Sequence, residues 1–127
     1  ISTFLYGEKP NNFVSTFFEN KKIDLFISLS STEGIPVSIM EAMNFSIPVI
    51  ATDVGGVSEI VNDINGFLID SNPTPSQIAE KINTFYKMSE LEKNIKRRAA
   101  FETWNSNYKS DTNYKDFIEK LLSLKVN

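Results

Sequence analysis

The stretch SSTEGIPVSIMEAMNFSIPVIATDVGG, residues 30–56, decides how the rest of the chain is read. It joins the end of one apolar run, a turn holding Gly34 and Pro36, a helical pattern, and a second apolar run closed by Gly55-Gly56. Pro36 suits a first helical turn, and Val37, Met40, Ala42 and Met43 supply apolar positions until Asn44 and Pro48 stop the helix. PVIAT at 48–52 then reads as a buried strand. Upstream, IDLFISLS at 23–30 is apolar and β-branched on both parities, as a parallel strand covered on both faces should be. It is expected at the centre of the sheet.

Working outward, the short run at 3–6 reads as a strand and Asn12 caps a helix over 13–19 that faces inward with Phe13, Phe17 and Phe18. Gly55-Gly56 leads to a short helix at 57–61, and Gly66 precedes a strand at 67–70. Thr74 or Ser76 caps a helix whose apolar side holds Ile78, Ala79, Ile82, Phe85 and Tyr86. Further helices follow at 90–101 and 111–124. The alternation predicts an α/β fold: a partial Rossmann-like parallel sheet of about four strands, right-handed crossovers, and a helical C-terminal third. All 127 residues fit one domain.

Composition removes whole classes of chemistry. There is no His and no Cys, so disulfides, thiolate nucleophiles, Ser-His-Asp triads and the usual zinc sites are excluded within this chain. A net charge of −3 argues against a nucleic-acid partner bound through the overall field. No apolar run approaches the roughly 20 residues that span a bilayer. The start at Ile1, without a methionine or leader pattern, reads as a fragment of a longer chain with a cytoplasmic location.

Acid–base and hydrogen-bonding chemistry therefore falls to carboxylates, and Glu33 and Glu41 stand out. Glu33 follows a strand, while Glu41 lies about five residues into the helix, roughly 7.5 Å along its axis at 1.5 Å per residue. The first free amides of that helix, from about Val37 and Ser38, fall between them, and helix N-termini attract anions. Carboxylates accept from hydroxyls and amides donate to phosphate oxygens. A ligand ordered hydroxylated group, diphosphate, hydroxylated group matches, which describes a nucleotide diphosphate sugar.

Taken with IPVIATDVGG and NGFLI, the segment SSTEGIPVSIMEA closely resembles the donor-binding C-terminal domain of retaining glycosyltransferases with the GT-B fold, in particular glycosyltransferase family 4. The resemblance covers about residues 4–82, and Glu33 and Glu41 match that family's signature of a glutamate, seven residues and a second glutamate. It implies that Glu33 contacts hydroxyls of the donor sugar and holds the reacting centre, and that Glu41 bonds the ribose. Gly34, Ile35, Pro36, Val37 and Ser38 would cradle sugar and diphosphate by their backbone, and Gly55 and Gly56 would shape a neighbouring loop. It further implies a UDP- or GDP-linked hexose as donor, no metal or other cofactor, and a glycan or lipid-linked acceptor in bacterial surface polysaccharide synthesis. An N-terminal acceptor-binding domain and the two first strands of this domain would lie outside the chain. Ser46 departs from the family, which often has glycine at that helix end; either Ser46 or Asn44 must then supply the left-handed turn.

Other readings stand beside this one. A nucleotide-binding module without transfer, or a flavodoxin-like interaction domain, shares the alternating pattern. Glu59 at a helix start reads first as a dipole partner. Lys93, Lys96, Arg97 and Arg98 read first as a solvated helical face paired with Glu90, Glu92 and Glu102, and second as a peripheral contact with the inner face of a membrane. Trp104, Tyr108, Tyr114 and Phe117 read as core or interface rather than sugar platforms. With the two first strands absent, the run at 25–29 needs a partner: residues 3–6 pair with it, or a second copy covers the edge in a dimer.

Overall fold

The structure, a computed structural model, describes residue 7 and residues 13–30 and 37–107. In chain order these form α1 (Phe13–Asn20), β1 (Phe26–Ser28), α2 (Val37–Asn44), β2 (Val49–Thr52), a 3₁₀ turn (Val57–Glu59), β3 (Gly66–Ile69), α3 (Pro75–Lys87) and α4 (Glu90–Asn107). The three strands are parallel in the order β1-β2-β3, with Phe26 beside Val49 and Ala51 beside Leu68. This is the expected α/β architecture. The expected strand at 3–6, its pairing with 25–29 and the helix at 111–124 lie outside the described residues.

Strand alternation divides the core into two layers. Val49 and Ala51 of β2 and Phe26 of β1 face a layer built from α1, α2 and α4, where Phe18, Ile39, Met40, Met43, Ile60 and Ala100 are buried. Ile50 of β2, with Phe67 and Ile69 of β3, faces the other way onto Phe85 of α3. Phe18 of α1 meets Phe26 and Phe45 edge-on, with ring centroids 6.1 and 5.7 Å apart. Trp104 packs half-buried against the first layer, as expected of an aromatic on a terminal helix.

Among the described residues the central strand is β2, every residue of which is buried, where the run at 23–30 was expected. Among the described residues β1 pairs with β2 alone and spans three positions. Leu25 packs under Phe85, but α3 does not extend along β1, so Ile27 and Leu29 on the same parity stay 38% and 45% exposed. A two-faced apolar pattern reports what a strand can bury, not what lies over it.

Helix boundaries follow local chemistry. Thr74 caps α3 in a reciprocal box, its hydroxyl accepting from the Gln77 amide while Gln77 accepts from the Thr74 amide, and Pro75 begins the helix. Ser89 and Glu92 make the same exchange at the start of α4, which runs six residues past its expected end at 101. At the end of α2 the Ile47 amide reaches back to the Ala42 carbonyl and the Ser46 amide to Met43, both at 3.0 Å. That is a Schellman closure, and Ser46 takes the left-handed position at φ 61°. Ser46, not Asn44, supplies the turn. A side chain there costs roughly 1–2 kcal/mol, partly offset because glycine loses more entropy on folding. Ser46→Gly should therefore stabilise the protein by about 0.5–1 kcal/mol and raise its melting temperature by about 2–5 °C. A lower melting temperature in thermal unfolding would show that the serine side chain is needed there.

One charged residue is recruited into the interior. Lys96 is only 6% exposed, and its ammonium donates to the Asp63 carbonyl and, at 3.0 Å, to the Gly66 carbonyl. Its Nζ also lies 4.4 Å from the centroid of Phe67. Burial pushes its pKa down, opposed by the nearby Asp63 charge. Beside it, buried Asn65 accepts from the Asn62 amide and donates to the Ile60 carbonyl and the Thr103 hydroxyl. Together Lys96 and Thr103 fasten α4 to the loop between the 3₁₀ turn and β3.

Candidate functional site

Because the strands are parallel, their carboxyl ends open on one side of the sheet, the side on which open α/β sheets bind ligands. Three connections leave from that side. The first, after β1, leads into α2. Its residues Glu33, Gly34, Ile35 and Pro36 lie outside the described residues. Its entry is fixed: the Thr52 hydroxyl at the end of β2 donates to the Ser30 carbonyl at 2.6 Å.

α2 begins at Val37, which packs half-buried on the core, while Ser38 is exposed. The amides of its first turn have no partner within the helix. Glu41 stands one turn on, about 6 Å along the axis. It is half-buried between Met40 and Ala42, which are fully buried. Burial raises its carboxyl pKa above the ordinary value, and no hydrogen bond or ion pair to any described residue offsets that cost. A carboxylate held under such a penalty is a common mark of a functional site.

The second connection, after β2, carries Gly55 and Gly56. The Asp53 amide bonds the Ile69 carbonyl at 2.8 Å and the Val54 amide bonds Thr52, so the loop stays pinned to the strand ends. Gly55 adopts φ 53°, and Gly56 opens the 3₁₀ turn at Val57. Glu59 on that turn is exposed. Val37, Ser38, Glu41, Gly55 and Gly56 thus sit on elements that leave the same end of the sheet. Gly66 does not: it starts β3 and stands at the amino end, where it serves packing rather than a ligand.

The electrostatics of this end have a plain source. Residues 23–80 contain no Lys or Arg, yet among the described residues they place Glu41, Asp53 and Asp70 at or near the carboxyl ends. An anion here would be met by backbone amides and by basic groups from elsewhere. The basic cluster at 93–98 divides, with Arg98 exposed, Lys93 and Arg97 half-buried and Lys96 inside. Lys96 is buried, which corrects its expected place on a solvated face, while Arg97 pairs with Glu90 at 3.0 Å, as expected, and with Asp24 at 3.4 Å. The pairing with Glu90 was legible from spacing; that with Asp24, across the fold, was not.

Comparison with known proteins follows the same stretch. Residues 2–101 match the family model described as Glycosyl transferases group 1. Over 101 residues the chain is 34% identical to the O-antigen biosynthesis glycosyltransferase WbnH of Escherichia coli, a match covering 76% of this chain and 29% of that protein. Over 92 residues it is 38% identical to the uncharacterized glycosyltransferase MJ1178 of Methanocaldococcus jannaschii, covering 72% of this chain and 25% of that one. Among solved structures, the C-terminal domain of a glycosyl transferase group 1 family protein, LpcC, from Francisella tularensis aligns with a TM-score of 0.70 at 25% identity. That alignment covers 84% of this chain and 53% of that chain.

Proposed function

Because the chain belongs to the glycosyl transferases group 1 family, we propose that it is the nucleotide-sugar-binding part of a retaining glycosyltransferase of family 4. Its parallel sheet and flanking helices match the C-terminal domain of a GT-B glycosyltransferase. The complete enzyme transfers a hexosyl group from a UDP- or GDP-linked donor to a glycan or lipid-linked acceptor in surface polysaccharide synthesis. It works without a metal, at the cytoplasmic side of the membrane, and its acceptor-binding domain precedes this chain. None of the described helices is long and apolar enough to cross a membrane.

The observation that carries this reading is Glu41: a half-buried carboxylate, without a partner among the described residues, on the helix that follows β1. It accepts hydrogen bonds from the ribose hydroxyls. The amides of Val37 and Ser38, with the backbone of Gly34 to Pro36, take the diphosphate and sugar, Glu33 holds the sugar hydroxyls at the reacting centre, and Gly55-Gly56 closes the neighbouring wall. Without a basic side chain in residues 23–80, the affinity of this chain for a nucleoside diphosphate is expected on the order of 1 mM.

Titration of the ¹⁵N-labelled protein with uridine and guanosine diphosphates, against the monophosphates and inorganic phosphate, tests the reading. The expected result is diphosphate-selective shifts of Val37, Ser38, Gly55 and Gly56. Selectivity lost between mono- and diphosphates would favour a plain nucleotide-binding module, and silence toward all of them would favour an interaction domain.

A further inference from the structure

At the opposite, amino end of the sheet, β1, the second half of α3 and the first half of α4 enclose a cavity of about 320 Å³. We infer that it binds a carboxylate-bearing sugar residue of a glycan, a hexuronate, at a site separate from the one proposed above. Its chemistry rests on three features. The first is Tyr86, which occupies an apolar position in the helical pattern of α3 yet is 76% exposed at the cavity, while its neighbour Phe85 is buried in the core. An exposed aromatic ring beside hydrogen-bonding side chains offers a platform for the C–H face of a sugar.

The second feature is a set of oriented polar groups. The Arg97 guanidinium donates to the Asn94 side-chain Oδ1 at 2.7 Å, to Glu90 at 3.0 Å and to Asp24 at 3.4 Å. Burial of the Arg97 stem and this bonding pre-organise the wall, and the remaining lone pairs of Asp24 and Glu90 can accept from sugar hydroxyls. The bond from Arg97 holds the Glu90 carboxyl below its ordinary pKa, so it stays an acceptor.

The third feature is a net positive charge on the cavity lining. Lys93 stands 5.6 Å from the ring centroids of both Phe85 and Tyr86, and neither it nor Lys22 makes an ion pair with any described residue. Lys22, Lys93 and Arg97 set against Asp24 and Glu90 leave the concave site one positive charge in excess, which suits one carboxylate. The flanking Asp24 and Glu90 disfavour a denser array of negative charge, such as an anionic lipid surface or a nucleic-acid backbone, by like-charge repulsion. The cavity lies near the lower limit for small-ligand pockets, which fits one ring rather than an extended chain.

Titrating the ¹⁵N-labelled protein with a galacturonate tetramer, a neutral glucose tetramer and phosphatidylglycerol vesicles tests the assignment. The uronate oligomer should shift Lys22, Tyr86 and Lys93 with a dissociation constant on the order of 1 mM, leaving Gly55 and Gly56 unmoved. Tyr86→Ala and Lys22→Gln, both at exposed positions, should each weaken it by about tenfold with no change in melting temperature. Equal binding of the neutral tetramer, binding of vesicles in place of oligomers, no saturation below about 50 mM, or full affinity in Tyr86→Ala would each overturn the inference.

Discussion

Replacing Gly66 by alanine is expected to lower the melting temperature by about 10–15 °C, a loss on the order of 3 kcal/mol. The reason is geometric. Gly66 opens β3 directly beside Val49 of β2, and a Cβ built on it would stand 2.1 Å from the Val49 carbonyl oxygen and 3.0 Å from its nitrogen. Both atoms are backbone of the central strand, so no side-chain rotation relieves the clash. Relief must come from moving β3 away from β2. That movement also disturbs the Gly66 carbonyl on which Lys96 depends and the Gly66 amide that bonds the Asn62 carbonyl at 2.9 Å. Gly7 supplies the contrast: at φ 67° with nothing near its missing Cβ, its alanine variant should cost only the roughly 1–2 kcal/mol of left-handed strain. Thermal unfolding by circular dichroism reads both variants. A Gly66→Ala protein melting within about 2 °C of the parent would mean that β3 does not lie against Val49 in this register.

Glu41→Gln is expected to move stability and binding in opposite directions. Burial raises the Glu41 pKa in the folded protein, so between the unfolded and folded values the native state holds the extra proton, and stability falls as pH rises through that window. Above it the carboxylate is a standing cost to the ligand-free fold. The amide removes that cost, so the variant should melt higher than the parent at pH 7, and the gain should vanish as the pH falls below the ordinary carboxyl range. The same change should weaken binding of a nucleoside diphosphate by roughly tenfold, because a charge-assisted acceptor becomes a neutral one. Stability traded for function in this way is expected of a binding residue and not of a packing one. A variant that melts lower and binds nucleotide unchanged would assign Glu41 to the fold alone.

What the sequence determined by itself was set by near neighbours along the chain. The strand–helix alternation, the helix from Val37, the reciprocal caps of Thr74 with Gln77 and of Ser89 with Glu92, and the inward face of α1 all depend on groups two to four residues apart. The pair Glu33 and Glu41 was legible for the same reason, as a spacing around a helix start. Tertiary structure alone decided matters that turn on distant partners. Lys96 is buried because carbonyls 30 and 33 residues away accept its ammonium, where charge patterning placed it on the surface. Gly66 is required by the approach of Val49, Asp24 reaches Arg97 across 73 residues, and Tyr86 with its apolar spacing stays outside because no described element lies over that part of α3. Ile27 and Leu29 make the same point from the other side: a pattern of side chains states a capacity for burial, while burial itself requires that the neighbouring layer extend far enough to exclude water.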